Sequence, residues 1–441
     1  MITREEVLQH NSQKDCWIII QNNVYDISSF ISSHPGGSDI LMSRAGEDAT
    51  SYFGAKHGNN PKILKLLEKY KIGSLAVNQQ IDAASLNEPF MQDMIDKCYK
   101  ARLFNISPDT AKNYFILRLI SVLAFFSLSF IALYSNLNIF ICILLVIFQA
   151  IISNSLFGFI AHETTHRQYP GNKILRFLLR ISWPVFWPFI SQKPLHYEHN
   201  SHHIKIGDPE YDFEVAAFSK FIRYSGTVKY SPLNKYQHKL AAILYPFYAN
   251  IITTFGGATS YFWASHNRKV ALEHFLSLLN TFIFYILIPY LITGSLYKFI
   301  LLYLVYQCVL FYGIYVSAAI NHFIPQATQK IPEDLKNTFS AYVCYNTSNF
   351  CINSRFWFWY TGGFNVQIEH HLIPFIPVEN LRKLIPIVKE LCLKYNYPYK
   401  EYMTFKDLWN DHYAYLEMLS KDVKNPEIAN EILNKEGYQA R

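Results

Sequence analysis

Residues 361–394 read TGGFNVQIEHHLIPFIPVENLRKLIPIVKELCLK and contain two adjacent histidines, His370 and His371, three and four residues after Gln367. On a helix, positions i, i+3 and i+4 lie on one face, so the spacing predicts that these three side chains point to one centre. Neutral imidazole is a ligand for iron, copper, zinc and nickel. Because a lone histidine pair is more often an ordinary polar feature, a metal site requires further ligands elsewhere in the chain.

Two further histidine clusters have matching spacing. The sequence HETTH holds His162 and His166 four residues apart, and HNSHH holds His199, His202 and His203 at positions i, i+3 and i+4. The chain has 16 histidines in all, so three such clusters are a marked concentration. They predict a metal centre assembled from distant parts of the sequence.

The letters HETTH also fit the zinc-protease motif HExxH, in which the glutamate, here Glu163, would act as general base. A catalytic zinc site uses three protein ligands. The protease interpretation therefore gives no role to most of the remaining clustered histidines, and it is disfavoured.

Composition separates a polar beginning from a membrane-like remainder. The chain has 441 residues, a net charge of +7 and 51% hydrophobic residues, with long apolar runs in 114–160 and 275–320. Residues 1–77 hold eight Lys/Arg and eight Asp/Glu, so the positive excess lies in the later part. A basic surface on a membrane protein is typical of contact with anionic lipid, and no basic run with interleaved aromatics indicates nucleic-acid binding.

Targeting and redox signals agree with a cytosol-facing protein. Residues 1–10 are polar and do not resemble a signal peptide. The seven cysteines form no CxxC pair, which disfavours a zinc ribbon and a disulfide framework. Scattered free cysteines fit a reducing environment.

Four apolar segments are long enough to cross a bilayer, namely 114–134, 137–161, 275–293 and 297–320. Short breaks at 135–136 and 294–295 predict two helical hairpins. His162 follows the first hairpin and His322 the second, so both histidines are expected on the same membrane face.

The charge of the loops predicts the orientation. The loop 161–272 carries thirteen Lys/Arg, whereas the hairpin tips carry almost none. By the positive-inside rule, this loop and both termini are predicted to be cytosolic. The proline- or glycine-broken apolar segments 174–190 and 240–263 are interpreted as interfacial helices, and the amphipathic segment 90–104 as a membrane-surface helix.

The N-terminal part contains the motifs of a small haem domain. Residues 17–25 predict a strand, a turn and a second strand. His34 opens HPGG, where proline and two glycines allow close approach to a flat ligand, and DATSYF precedes His57. These motifs resemble the cytochrome b5 domain over about residues 3–77. The resemblance implies an α+β domain that binds haem b between two axial histidines, His34 and His57.

The three histidine boxes and the two hairpins resemble the membrane fatty-acid desaturases. The N-terminal cytochrome b5 domain, the glutamine that opens the third box and the run QIEHHLIPFIPVENLRKLIPIVKELC are similar to the front-end desaturases. The resemblance implies an all-α membrane domain with four transmembrane helices in two hairpins, interfacial helices and a cytosolic histidine-rich cap. Removal of hydrogen from an unactivated methylene needs an oxidant that no side chain supplies, which agrees with a metal cofactor.

The family resemblance also implies the site and its partners. It implies two non-haem iron ions that use O2 and two electrons to insert a cis double bond between the carboxyl end and an existing double bond of a fatty acyl chain, of delta-5 or delta-6 type. The implied ligands are His162, His166, His199, His202, His203, His370 and His371, with His322 as an eighth. Gln367 is interpreted as contacting the metal or only a bound water. Implied partners are a fatty acyl lipid or acyl-CoA, membrane lipids and NADH-cytochrome b5 reductase, at the endoplasmic reticulum.

The predicted domains are a haem domain at 1–77, a linker and surface helix at 78–112, a desaturase domain at 113–405 and a tail at 406–441. His196 is left as a neighbour of the ligands, and His266, His274 and His412 as ordinary interfacial or surface histidines. Glu163 replaces the aspartate usual in front-end enzymes, and 339–349 lacks a tryptophan and a glutamine common upstream of the third box. These departures leave open which double bond is made.

Three alternatives remain. A delta-8 desaturase of sphingolipid long-chain bases shares nearly all of these motifs. A fatty-acid hydroxylase would normally have different box spacings. A non-catalytic membrane haem protein would bind haem without non-haem iron.

Overall fold

The computed structural model describes residues 2–35, 41–42, 44–57, 60–80, 88–134, 136–162, 166, 199, 202–209, 212, 215, 221–251, 275, 279, 281–328, 331–335 and 337–421. Several features singled out in the sequence lie outside these residues: Gly36, Gly37, Glu163, His196, His266, His274, the segment 174–190, residues 252–263 and the tail beyond 421.

The N-terminal domain is built on an antiparallel sheet with the order β1-β2-β3-β4. Its strands are β1 (Asn11–Ser12), β2 (Asp15–Ile20), β3 (Asn23–Asp26) and β4 (Lys71–Ser74). Gln21 and Asn22 join β2 to β3 with φ of 50° and 63°, the left-handed geometry that a two-residue hairpin turn requires. The predicted strand, turn and strand are therefore confirmed.

Helices pack against both faces of this sheet, and one of them supplies His57. They are α1 (Arg4–Gln9), α2 (Thr50–His57) and α3 (Pro61–Leu67). A capping box between Thr3 and Glu6 starts α1. His34 follows a 3₁₀ turn at Ile31–Ser33, and His57 is the last residue of α2.

The regular secondary structure of the rest of the described chain is almost entirely helical. Its helices are α4 (Pro89–Lys100), α5 (Pro108–Tyr134), α6 (Ile139–Leu156), α7 (Gln237–Ile251), α8 (Ile288–Thr293), α9 (Leu296–Ala318), α10 (Phe339–Asn346), α11 (Arg355–Tyr360), α12 (Gln367–Leu372), α13 (Val378–Tyr395) and α14 (Phe405–Leu419). Two short parallel strands, β5 (Asn349–Phe350) and β6 (Glu401–Tyr402), tie α10 and α12 to the C-terminal segment.

Three of the described helices are long and apolar enough to cross a bilayer, α5, Ile139–Phe159 and α9. They correspond to the first, second and fourth predicted spans. At the third predicted span the described residues form a π-helical turn, Phe282–Leu287, followed by α8, an apolar stretch of 12 residues. The described part of the larger, C-terminal domain thus has three candidate spans and one shorter apolar helix.

Helix α4 is amphipathic, as predicted, but its apolar face is covered by protein. Phe90, Met91, Met94 and Cys98 are buried and pack in one cluster with the apolar face of α13. On the rim of this contact, Lys97 Nζ lies 2.9 Å from a carboxylate oxygen of Glu390. The amphipathicity that was interpreted as a membrane-surface signal therefore reflects packing against α13.

Two apolar clusters divide the large domain. One is formed largely by side chains of α5, α6 and α9, and the other by side chains of α4, α10, α12 and α13. The histidine-rich region lies where these clusters meet, since His162 follows α6, His322 follows α9 and α12 carries His370 and His371.

Candidate metal centre

Helix α12 holds the third box rigidly because all six of its residues are buried. Asn349 fixes its start: Asn349 Oδ1 accepts from the backbone N–H of Ile368 at 2.9 Å, and Asn349 Nδ2 donates to Glu369 at 2.7 Å. The Tyr399 hydroxyl donates to the other oxygen of Glu369 at 2.7 Å. Burial raises the pKa of Glu369 to about 7, although these hydrogen bonds oppose the shift.

Two glycines bring the first and third boxes together. Gly158 lies in the π-helical turn Phe157–His162, and Gly362 precedes α12 with φ of +63°. A Cβ built on Gly362 would be 2.5 Å from the Cα of Gly158, a distance that real side chains do not occupy. Only glycine at both positions allows this backbone crossing, which brings His162 within 4.8 Å of His370, measured between ring centroids.

All eight predicted imidazoles, including His322, converge in two adjacent groups. Within each group, one ring nitrogen per residue lies within 4.8 Å of the others. The first group is His162, His166, His199, His203 and His370, and the second is His202, His322 and His371. The two groups adjoin, since the ring centroids of His203 and His371 are 4.1 Å apart.

Helical periodicity explains the division. Consecutive helical residues differ by about 100° in direction, so His370 and His371 face different groups, as do His202 and His203. His199 and His203, four residues apart, share a face and a group. The expectation that each cluster points to one centre is therefore wrong: the second and third boxes each contribute to both groups.

Burial keeps six of these imidazoles, including His371, in the neutral form that binds metals. It lowers the pKa of His162 and of His322 to about 3. It also lowers the pKa of His199, His203 and His370 well below the usual value, with further lowering from neighbouring histidines. Neutral imidazoles present lone pairs, and metal affinity depends on such deprotonated ligands.

Two outer contacts orient rings of the second group. The Nδ1 atom of His202 lies 2.9 Å from Asp212 Oδ2, and both side chains are buried. The same oxygen accepts from the backbone N–H of Gly207 at 2.8 Å. His322 Nδ1 lies 3.1 Å from the carbonyl oxygen of Asn346. Ligand histidines are generally held in this way through their second nitrogen. The sequence motifs gave no indication of Asp212 or Asn346, because both contacts depend on tertiary structure.

The donor atoms fit a bound metal. Buried nitrogens without a hydrogen-bond partner in the described structure include Nε2 of His322, Nε2 of His370 and both ring nitrogens of His371. Unpaired buried polar atoms carry a free-energy cost, and a cation shared among them removes that cost. Gln367 is also buried; its Nε2 donates to the carbonyl of Ala318 at 3.3 Å, while its Oε1 has no partner among the described residues.

The N-terminal domain has a second site whose geometry fits haem. The ring centroids of His34 and His57 are 6.3 Å apart. An imidazole nitrogen binds a metal at about 2 Å, so two rings on opposite sides of one iron have centroids about 6 Å apart. Burial lowers the pKa of His57 to about 4, with further lowering from His34 and Lys56, which keeps His57 neutral.

One histidine differs from its expected role. His412, predicted at the surface or an interface, is buried on α14. Its Nδ1 lies 2.7 Å from the carbonyl oxygen of Phe323, and its Nε2 lies 2.5 Å from the Tyr245 hydroxyl. His412 thus packs behind the residue that follows His322, a position that an isolated histidine in the sequence does not reveal.

Comparison with known proteins agrees with both sites. The cytochrome b5-like haem/steroid binding domain matches residues 3–76, and the fatty acid desaturase family matches residues 106–402. Acyl-lipid (8-3)-desaturase B of Dictyostelium discoideum is 25% identical over 99% of this chain and 97% of its own length. Delta(5) fatty acid desaturase A of the same organism is 25% identical over 96% and 95%.

Two further proteins are similar over different extents. Acyl-lipid (8-3)-desaturase of Physcomitrium patens is 24% identical over 94% of this chain and 90% of its own. Among solved structures, cytochrome b5 of Ostreococcus tauri virus 2 is 36% identical, covering 17% of this chain and 96% of its own, with a TM-score of 0.16. The desaturase match extends over more than half of the chain and includes all three histidine boxes, so the chain belongs to the fatty acid desaturase family, an oxidoreductase family, and carries an N-terminal cytochrome b5-like domain.

Proposed function

We propose that this protein is a front-end acyl-lipid desaturase of delta-5 or delta-6 type. It inserts a cis double bond between the carboxyl end and an existing double bond of a polyunsaturated fatty acyl chain. The observation that carries the proposal is the pair of adjacent, buried histidine groups on a desaturase scaffold. The names of the full-length relatives, (8-3)-desaturase and Delta(5) desaturase, support the regiochemistry.

The proposed metal site holds two non-haem iron ions, which together with O2 supply the oxidising power for C–H cleavage. The proposed ligands are His162, His166, His199, His202, His203, His322, His370 and His371. Gln367 is proposed as a further oxygen donor to a metal or to a bound water. The protein's own part is to hold most of these rings neutral, to fix the directions of His202 and His322 through Asp212 and Asn346, and to exclude bulk water by burial.

Electrons are proposed to come from the protein's own haem, held by His34 and His57. NADH-cytochrome b5 reductase is the proposed donor to this haem. Because the two domains share one chain, the haem stays at high effective concentration near the metal centre, and diffusional encounter is not needed.

A cavity in the membrane half supports an acyl substrate. It has a volume of about 320 Å³ and is lined by side chains of α5, α6, α8, α9 and the π-helical turn before α8. Phe125, Leu302 and Tyr306 line it, with Gln149 as one of few polar groups. The amide of Gln149 donates to Ser129 and Tyr306 donates to Ser153, so these polar groups are satisfied and leave an apolar wall. Such a surface suits a hydrocarbon chain.

The proposed topology has four spans, with both termini and the metal centre in the cytosol and the protein in the endoplasmic reticulum membrane. The proposed domains are 1–77 for haem binding, 78–112 as linker with helix α4, which packs on α13 rather than on the membrane surface, 113–405 as desaturase and 406–441 as tail. The basic loop 161–272 supports this orientation through the positive-inside rule. The burial of His162 and His322 in adjoining groups agrees with their expected placement on one membrane face.

Feeding experiments test this function. Cells that lack polyunsaturated products would express the wild type or His371→Ala and receive defined fatty acids, and mass spectrometry would locate new double bonds. The proposal predicts a new cis bond on the carboxyl side of an existing one, with the wild type only. A new bond on the methyl side, a hydroxylated product, or desaturated sphingoid bases with unchanged fatty acids would contradict it, and the last result would favour the delta-8 long-chain-base alternative.

A further inference from the structure

Tyr52 belongs by sequence to the haem domain but by packing to the desaturase domain. It lies on α2, five residues before His57, and is 5% exposed. Its ring is 5.5 Å from that of Phe339, measured between centroids, with an edge-on angle of 70°. The apolar cluster that contains Tyr52 also contains Ile368 and Leu372 of the metal-bearing helix α12. The side chain is therefore inserted into the core of the other domain.

Neighbouring charged groups complete this contact. The Arg44 guanidinium carbon lies 3.6 Å from the centroid of the Tyr52 ring, and Lys56 Nζ lies 5.3 Å from the centroid of the Phe339 ring. Glu47 Oε2 is 3.9 Å from Lys205 Nζ, a long ion pair at the edge of the contact. The described interface thus combines aromatic packing, with cations near ring faces, and a long ion pair.

Helix α10 connects this interface to the metal centre. Phe339 is its first residue, and the carbonyl of Asn346, its last, lies 3.1 Å from His322 Nδ1. The helix is anchored at its start by Glu88, which accepts from the backbone N–H of Ser340 at 2.8 Å. In its middle, the Tyr342 hydroxyl donates to the carbonyl of Ile206 at 2.9 Å. One short helix therefore begins at the haem domain and ends at a proposed ligand.

We propose that Tyr52 and Phe339 are positioning residues that dock the haem domain on α10, so that a haem held by His34 and His57 would pass electrons to a metal held by the His202–His322–His371 group. The proposal rests on the function proposed above and deepens it by naming the electron-entry face. In each transfer one electron leaves the reduced haem, which is oxidised, and reduces the metal centre by one electron. Two transfers accompany each double bond formed.

The character of the interface has a consequence for salt dependence. Surface charge pairs are screened by salt, whereas apolar contacts are not. Since the described contact includes buried aromatic packing and the domains are tethered, transfer within the chain is expected to change less with ionic strength than transfer between separate proteins.

The test uses the full-length protein loaded with haem and iron, reduced under anaerobic conditions and mixed with O2 and acyl substrate. Haem reoxidation is followed by its absorption. Tyr52→Ala is compared with Tyr52→Leu and with Tyr52→Phe, which keeps the ring and removes only a buried hydroxyl that has no hydrogen-bond partner in the described structure. Small misplacements of reacting groups can reduce rates on the order of 10²-fold. We expect a slowing of that order in Tyr52→Ala and in Phe339→Ala, an intermediate effect in Tyr52→Leu and a wild-type rate in Tyr52→Phe.

Two controls separate docking from general damage. The haem spectrum, the haem midpoint potential and the rate of haem reduction should be the same in all variants. Hydrogen exchange of the α10 amides, measured without any redox chemistry, should be faster in Tyr52→Ala than in Tyr52→Phe. Equal reoxidation rates and equal exchange in Tyr52→Ala and wild type would overturn the docking role while leaving the desaturase function intact. A wild-type haem that is not reoxidised faster with bound iron than without it would overturn both.

Discussion

His202 and Asp212 form a buried pair in which His202 Nδ1 lies 2.9 Å from Asp212 Oδ2, with the two side chains 3% and 0% exposed. The carboxylate fixes the orientation of the imidazole and directs Nε2 toward the group that contains His322 and His371. An anionic partner also makes an imidazole a stronger donor to a metal. Asp212 is therefore expected to control metal binding without being a ligand itself.

Asp212→Asn should weaken the metal site while the fold persists. The amide keeps the shape of the carboxylate but loses its charge, and loss of such a partner typically lowers metal affinity or activity by about 10–100-fold. Iron content and product formation should fall together in this range. Asp109→Asn, the same change at an exposed position, is the control and should behave as wild type. Unchanged iron content in Asp212→Asn would contradict the assigned role.

Gly158→Ala should disrupt the crossing between the first and third boxes. The added Cβ would be 2.6 Å from the Cα of Gly362 and 2.8 Å from the Thr361 carbonyl oxygen, so the backbones must separate. Overpacking of this kind costs about 1–3 kcal/mol or more. Thermal unfolding should begin at a lower temperature, and iron content should fall because His162 and His370 move apart.

Gly294→Ala provides a matched comparison for that variant. Gly294 ends α8 with φ of +60°, but a Cβ there meets nothing within 4 Å. The substitution should cost only left-handed backbone strain, about 1–2 kcal/mol, with iron content unchanged. Equal iron loss in the two variants would show that the close approach of Gly158 and Gly362 has no special importance for the site.

Spacing in the sequence predicted much of the site, and tertiary contacts explain the remainder. The spacing of the three clusters predicted that seven histidines come together, and the resemblance to the desaturases implied His322 as an eighth. The same pattern could not assign His202 and His203 to different groups, because that depends on which helix faces each side. The contacts of Asp212, Tyr52 and His412 join residues that are distant in sequence or lie on separate elements, so no local motif indicates them.

Gln367→His should lower product formation even though histidine is the better ligand. Gln367 is 2% exposed, and its Nε2 donates to the carbonyl of Ala318 at 3.3 Å. An imidazole ring there cannot donate to the Ala318 carbonyl from the same position. The ring also needs more space among buried neighbours, and overpacking generally costs about 1–3 kcal/mol. Product per bound iron is the appropriate measurement. A variant that matches or exceeds the wild type would indicate that Gln367 has no specific role.

The pH dependence of stability should depend on His412. Burial lowers its pKa to about 4 in the folded protein, despite the opposing hydrogen bond with the Phe323 carbonyl, while the unfolded chain has the usual value near 6.5. Because the unfolded state binds the proton more readily, the stability that the neutral ring contributes is present above pH 6.5 and is lost as pH falls toward 4. The free energy of unfolding is expected to fall by up to about 3 kcal/mol over this range through His412 alone.

His412→Gln tests this dependence. The variant should be less stable than the wild type at pH 7, since it loses the two buried hydrogen bonds with Phe323 and Tyr245. The difference in free energy of unfolding between the wild type and the variant should become smaller as the pH falls from 6.5 to 4, because only the wild type carries this titrating group. Unfolding measured at several pH values checks the result, and the other buried histidines contribute equally to both proteins. Parallel stability curves would argue against a buried neutral His412.

The most direct test of the central claim is the ratio of non-haem iron to haem in purified full-length protein. The two histidine groups predict two non-haem irons for each haem, and His371→Ala should keep the haem while losing non-haem iron. Metal analysis combined with the haem absorption gives both quantities in one preparation. Haem at full occupancy with no non-haem iron in the wild type would contradict the account and would instead indicate a membrane haem protein without a desaturase centre.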